Sequence, residues 1–356
     1  MLLCQATLLF LLFICSTQAY QNSVYDSLLK YAYISKISYC IDLLRGEHDL
    51  SEPIVLKPKP LGFSQAGFNT TDYSAVPTEE TDLHLAKLLK KGNKSSGVHS
   101  ADDHNDSDQD DDLEISTSEG FFAIDHTGNG TIILSLRGSI NFRDYLTDLN
   151  TNTIDYEPVN ENAKSKFKGC EGCKVHKGFH TRLGEIEEEI FTTAEKLVEV
   201  FPDYNVVVTG HSMGGSLAML VGIEFSLLGY DPLVIAYGNP KVSNQNLSDY
   251  MDTLFSTDEV EQAVEEDVQL TSGCLRVFHN GDYIPMLPPG NNKFIQAGLE
   301  FVITKEDLPH PKSAVEYVGK AHRIVHPTEF KFSDLFTFDL DKIFSTCGVL
   351  LQNSPM

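Results

Sequence analysis

Between Asn205 and Leu228 the chain runs through Asn-Val-Val-Val-Thr, passes Gly210-His211-Ser212-Met213-Gly214 and enters a stretch that carries no charge before Glu224. Three consecutive valines read as a strand, and the apolar residues from Met213 to about Leu228 read as a helix buried all round. A strand that turns into a buried helix within two residues brings the two backbones close together. Glycine is needed at positions 210 and 214 because a β-carbon at either place would collide with the neighbouring element. Ser212 is thereby lifted out at the end of its strand. Behind it, the helix N-terminus offers free N–H groups and the positive end of a dipole, which favour a developing oxyanion. Gly-x-Ser-x-Gly alone is a short pattern that chance supplies often. The strand before it and the helix after it are what mark a nucleophile elbow, with the Met213 amide as one oxyanion donor.

The remaining pattern extends this unit. Val24, Leu28, Tyr31, Ile34, Ile37 and Ile41 recur at helical spacing and predict an N-terminal helix. From Lys90 to Glu119, Gly, Ser, Asn and a run of Asp leave little to bury, so 90–119 reads as a disordered acidic insertion. Within it Asp103, Asn105, Ser107, Asp111 and Glu114 fall at calcium-loop offsets. Asp108 stands where that loop needs Gly, so a solvated loop is the better reading. Phe121–Asp125 and Thr131–Leu136 predict a hairpin around Thr127-Gly-Asn-Gly130. His180 to Phe201 predicts an amphipathic helix with Ile186, Ile190, Ala194, Leu197 and Phe201 on one stripe. Leu233–Tyr237 and Leu275–Phe278 are short apolar runs without alternation, as in central strands covered on both faces. Strands alternating with helices give an α/β fold with a mostly parallel sheet flanked by helices. The chain from 20 to 356 reads as a single domain.

A serine hydroxyl needs a base for its proton and a carboxylate to orient that base, and on this kind of sheet the chain order is Ser, acid, His. Asp282 follows the Leu275–Phe278 strand in His279-Asn-Gly-Asp-Tyr-Ile-Pro285, so it is either the acid or a turn aspartate. Of the later histidines, His310 lies between two prolines, leaving His322 and His326 as candidates for the base. Ser139, after the Thr131 strand, is placed to offer the second oxyanion donor. The amphipathic segment after it, with Ile140, Phe142, Tyr145 and Leu146, is either a surface helix or a lid.

The ends and the charge bound the setting. Met1–Ala19 carries a short apolar run and a small-residue cleavage site, which predicts a signal peptide and a secreted chain with no transmembrane anchor. Five sequons, at Asn69, Asn93, Asn105, Asn129 and Asn246, agree with export and predict a glycoprotein. Beyond the signal peptide stand Cys40, Cys170, Cys173, Cys274 and Cys347, an odd number that leaves one thiol unpaired. Disulfides are favoured over metal ligation in an exported chain, and no metal site is expected. A net charge of -24 argues against nucleic acid as a partner and against strongly anionic lipid surfaces.

From Tyr25 through Cys347 the chain resembles the class 3 triacylglycerol lipases of the filamentous-fungal type. The landmarks are Arg137-Gly-Ser139 with Asp148-Leu149, Val175-His-Lys-Gly-Phe179, Gly210-His-Ser-Met-Gly214, Gly238-Asn-Pro240-Lys-Val242 and Asp282-Tyr-Ile-Pro285-Met-Leu-Pro-Pro289. The resemblance implies an α/β-hydrolase fold, Ser212 as nucleophile, Asp282 as acid, Ser139 and Met213 as the oxyanion hole and a mobile helical lid after Ser139. The family's histidine stands in an Ala-His segment, which points to Ala321-His322 over His326. Disulfides Cys40–Cys347 and Cys170–Cys173 are implied, with Cys274 free. The serine chemistry requires no cofactor, and the expectation is a monomer that meets an ester or acylglycerol substrate at a lipid–water interface. The sequence departs from the family at Tyr145, where a lid tryptophan is usual, in the acidic insertion, and in extra residues between His322 and Cys347. A carboxylesterase or feruloyl esterase, a phospholipase and a diacylglycerol lipase share the scaffold, and a secreted binding protein with a dead site is the rival from another class.

Overall fold

The computed structural model describes residues 22–39, 83–90, 118–138, 151–288, 293–305 and 310–320. The signal peptide, Asn69, Asn93, Asn105, the calcium-loop offsets, Ser139, the lid residues Ile140 to Leu146, His322, His326, Cys40 and Cys347 lie outside them.

Eight strands form one sheet in the order β1 (Leu83–Lys90), β2 (Ser118–Asp125), β3 (Thr131–Leu136), β6 (Asn205–His211), β7 (Leu233–Tyr237), β8 (Gly273–His279), β9 (Leu299–Ile303) and β10 (Val315–Gly319), while β4 (Thr153–Asp155) pairs with β5 (Lys174–His176). Strands β3, β6, β7, β8 and β9 are parallel neighbours, and the antiparallel pairings β1–β2–β3 and β9–β10 close the two sides. This is the mostly parallel α/β sheet that the sequence predicts.

Successive residues of a strand point to opposite faces, and both faces are covered. Phe122, Leu134, Val208 and Ala236 enter the layer formed with α3 (Lys177–Val200) and α4 (Met213–Leu228). Their neighbours Phe121, Ile133, Val207 and Ile235 enter the other layer, with α1 (Asn22–Ile37) and α6 (Thr257–Glu265). Two further α-helices, α2 (Glu161–Lys166) and α5 (Gln245–Leu254), and two single 3-10 turns, Ile284–Met286 and Lys312–Ala314, complete the described elements. Helix α1 buries Val24, Leu28, Tyr31 and Ile34 as the periodicity predicts, but it ends at Ile37 rather than Ile41. Polar contacts also tie it down: the Tyr237 hydroxyl donates to the Leu28 carbonyl at 2.5 Å, Ser135 donates to Ile34 at 3.3 Å, and Lys30 pairs with Asp125.

Five strands, β1, β4, β5, β9 and β10, go beyond those that the sequence pattern predicts, and one boundary lies elsewhere. Lys90, Ser118 and Glu119, taken as the margins of the acidic insertion, belong to strands β1 and β2. Strand β1 was hidden because Leu-His-Leu-Ala-Lys-Leu-Leu-Lys has no clean alternation. Strand β9 was hidden by Glu300 in a five-residue run. That glutamate is buried because Arg276 sits beside it on β8, 2.9 Å away, with both side chains 3% exposed.

Helix α4 is buried on every side from Gly214 to Phe225, Glu224 included. The Glu224 carboxylate accepts the backbone N–H groups of Val159 and Asn160, each at 2.9 Å, and so holds the segment that leads from β4 into α2. Burial pushes its pKa up to about 7, against the pull of those two N–H bonds. Glu224→Ala leaves both donors without an acceptor, at about 1–3 kcal/mol for each buried group. Equilibrium urea unfolding at pH 6 is expected to show a loss of about 2–4 kcal/mol, and a loss below 1 kcal/mol would contradict this role.

Candidate active site

The register brings Ser212, Met213 and the turn of Asp282 to one edge. Leu136 of β3 pairs with Gly210 of β6, His211 with Tyr237 of β7, and Tyr237 with Val277 of β8. The loops carrying Gly138, Ser212, Gly238 and Asp282 therefore leave the carboxyl ends of adjacent strands, where groups from distant parts of a chain converge.

Ser212 sits between β6 and α4 with φ 55° and ψ −125°, a left-handed conformation that costs about 1–3 kcal/mol in a non-glycine residue. The surrounding structure holds it there. Its N–H donates to the Tyr237 carbonyl at 2.8 Å, and its own carbonyl accepts from Gly215 and Ser216 at 3.0 and 3.2 Å. A β-carbon on Gly214 would overlap the Leu136 carbonyl, and one on Gly210 would overlap the Gly214 backbone, so both glycines are obligatory here. Ser212 is 3% exposed, and its Oγ has no hydrogen-bond partner among the described residues. A buried hydroxyl without a partner is an open position for a base or a substrate. Met213 begins α4, and its amide has no acceptor within the helix.

Asp282 is half-buried in the turn after β8. Its N–H donates to the His279 carbonyl at 2.9 Å, and its Oδ1 accepts from Ile284 at 2.9 Å. Its Oδ2 faces Gly238, where a β-carbon would stand 3.2 Å from that oxygen and 3.5 Å from Nε2 of His211. Desolvation lifts the Asp282 pKa to about 6, while the Ile284 N–H and the nearby His279 work against the rise. The carboxylate thus borders the elbow and is costly to ionise.

The His211 ring turns to Tyr39, whose hydroxyl lies 2.8 Å from Nδ1. Burial drives the imidazole pKa down to about 4, so the ring is neutral near pH 7. Tyr39 comes from the turn after α1 and escaped the sequence reading, because it stands off the helix's apolar stripe and beyond its last turn.

Strand β10 runs away from the site edge, from Val315 opposite Ile303 to Gly319 opposite Glu300, and Lys320 pairs there with Asp258. Four strand spacings, about 19 Å, separate β10 from β6. Two residues beyond Lys320 span about 7 Å and six span about 20 Å, so chain length favours His326 over His322 for a return to Ser212.

Cys170 and Cys173 are joined in a disulfide, as the resemblance implied. Cys274 is a buried free thiol whose pKa burial pushes up to about 12, which keeps it un-ionised and unreactive. Among the described residues no helix is long and apolar enough to cross a membrane.

A mostly parallel sheet flanked by helices, with a strand–serine–helix turn at the carboxyl end of β6 and an aspartate in the turn after β8, has the α/β-hydrolase fold. Residues 133–292 match the family model described as Lipase (class 3). LIH1 of Saccharomyces cerevisiae is 39% identical over 220 residues, covering 60% of this chain and 66% of LIH1. Lipase A of Sodiomyces alcalophilus is 31% identical over 221 residues, covering 55% of this chain and 51% of that protein. The chain thus spans between half and two thirds of the length of these relatives. The Lip2 lipase of Yarrowia lipolytica superposes with a TM-score of 0.58 at 24% identity, covering 85% of this chain and 86% of that one, and shares the fold. The chain belongs to the class 3 lipase family.

Proposed function

We propose that the chain is a secreted serine acyl-ester hydrolase, a triacylglycerol lipase that works through Ser212, Asp282 and a late histidine. The observation that carries this reading is the buried Ser212 Oγ at a strained elbow, without a hydrogen-bond partner among the described residues and bordered by the Asp282 carboxylate. The base takes the Ser212 proton as Oγ attacks the ester carbonyl. Met213 and Ser139 N–H groups stabilise the oxyanion, and the base returns the proton to the leaving alcohol. Water, deprotonated by the same base, then cleaves the acyl-enzyme. Asp282 orients the base throughout. The resemblance points to His322 as that base, and the reach of the chain from Lys320 favours His326.

The test is hydrolysis of tributyrin, triolein and soluble p-nitrophenyl esters by the protein recovered from culture medium, below and above the solubility limit of each glyceride. A rate that rises at the emulsion supports the lipase. Hydrolysis confined to soluble short esters makes the protein an esterase, and no hydrolysis of any ester refutes the proposal.

Export brings a second expectation. Asn129 lies exposed at the tip of the β2–β3 hairpin. The Asn246 amide donates to the Glu171 carbonyl at 2.9 Å, and Ser248 of the same sequon is buried against the Gln296 carbonyl at 2.7 Å. Glycopeptide mass spectrometry is expected to find a glycan on Asn129 at several times the occupancy of Asn246. The reverse order would contradict it.

A further inference from the structure

The last described residue after α1 reaches the centre of the site. Tyr39 is 5% exposed. It is held by a turn in which its N–H donates to Lys36 at 3.1 Å and the Ser38 hydroxyl donates to Ser35 at 2.6 Å. Its phenolic oxygen packs against the backbone of Gly138 and lies 2.8 Å from Nδ1 of His211. The two rings meet edge-on, with centroids 5.8 Å apart. Gly138 is wedged between them: a β-carbon there would overlap the Tyr39 hydroxyl and stand 2.8 Å from the His211 carbonyl and 3.1 Å from Cβ of Ser212. The phenol has one proton to give. Among the described residues the acceptor within reach is His211 Nδ1, and the ring must then carry its proton on Nε2.

We infer that Tyr39 is a positioning residue of the oxyanion hole, clamping the β3 loop at Gly138 to the elbow at His211. The inference rests on the ester-hydrolase reading above. The two donors assigned to the hole lie on different sides of this clamp: Ser139 follows Gly138, and Met213 lies two residues past His211. Two loops that leave neighbouring strands fix each other's direction but not their spacing. A buried hydroxyl packed against one loop and hydrogen-bonded to the other sets that spacing before substrate arrives, and donors fixed in advance are the ones that stabilise a transition state. The clamp comes from α1, whose other bonds tie it to β2, β3 and β7. The hole is therefore braced by a segment about a hundred residues away in sequence.

The test compares wild type, Tyr39→Phe, His211→Asn and His211→Leu as the full exported chain. The readouts are steady-state hydrolysis of p-nitrophenyl butyrate, the rate of Ser212 phosphonylation by a p-nitrophenyl alkylphosphonate, and melting temperature. Tyr39→Phe is expected to lower kcat and the phosphonylation rate about 10- to 100-fold with KM within twofold. His211→Asn, which keeps an acceptor near the position of Nδ1, is expected to recover most of the activity that His211→Leu loses. Unchanged kcat in Tyr39→Phe overturns the inference. So does a loss of activity that follows melting temperature alike in all three variants. An independent reading comes from two-bond proton–nitrogen NMR of the wild-type His211 ring at pH 7, where the proton is expected on Nε2. A proton on Nδ1 overturns the clamp. A wild type that hydrolyses no ester sinks the proposed function instead, and the NMR still decides whether the clamp exists.

Discussion

Ser212→Ala is expected to lower ester hydrolysis by at least about 10⁴-fold while leaving the melting temperature within a few degrees of wild type or above it. The size follows from the chemistry. Without Oγ there is no acyl-enzyme, and what survives is the contribution of the oxyanion donors and of substrate binding. The stability follows from the structure, because the removed oxygen makes no hydrogen bond to any described residue. The base is identified in the same assay. His326→Ala is expected to match the loss of Ser212→Ala, and His322→Ala to retain more than a tenth of wild-type activity, if tether length decides. The opposite pattern would assign the base to His322, as the family's Ala-His segment implies. Activity that survives Ser212→Ala would remove the elbow from the mechanism.

Asp282→Asn is expected to cost about 10³- to 10⁴-fold in kcat and to stabilise the protein at alkaline pH. The carboxyl pKa rises from 3.8 to about 6, chiefly because burial removes solvent from the charge. A folded-state pKa above the unfolded value means that folding favours the neutral acid. This contribution is complete below about pH 4 and is lost as pH rises through 6. At pH 8 the ionised group therefore costs the folded protein on the order of 1–2 kcal/mol, after allowance for its partial exposure. The asparagine variant should regain that amount at pH 8 and nothing at pH 4, as read by urea unfolding at both values. The triad needs the charged form, so wild-type kcat/KM should fall as pH drops through about 6. A variant equally stable at both pH values would show that the carboxylate bears no such cost.

Much of this was legible in the sequence, and the reasons are local. Valines followed by Gly-His-Ser-Met-Gly and an uncharged helix admit few structures, and residues 205–228 fold as that pattern requires. Asp282 was readable because its turn follows a short strand that is mostly apolar, with Leu275, Val277 and Phe278 around Arg276. Strands β9 and β10 were not readable, since Glu300 and Glu316 interrupt short runs and only the partner strand explains the first of them. Tyr39 was invisible for a different reason. Its place depends on two loops far along the chain, and no pattern within α1 records them.

The buried pair Arg276–Glu300, met earlier as the reason β9 was hard to recognise, also acts as a registration pin. Side chains on a strand alternate between faces, so sliding β9 by one residue along β8 would send the two charges into different apolar layers. Each would then lie buried and alone, at a cost of several kcal/mol. Hydrophobic residues on both strands tolerate such a slip far better, because Leu275, Val277, Leu299 and Phe301 are interchangeable in kind. The turn bearing Asp282 begins four residues beyond Arg276, at Asn280, whose N–H donates to the Ile303 carbonyl at 2.7 Å. Its departure point from the sheet is thus set by a pair of charges that never meets substrate.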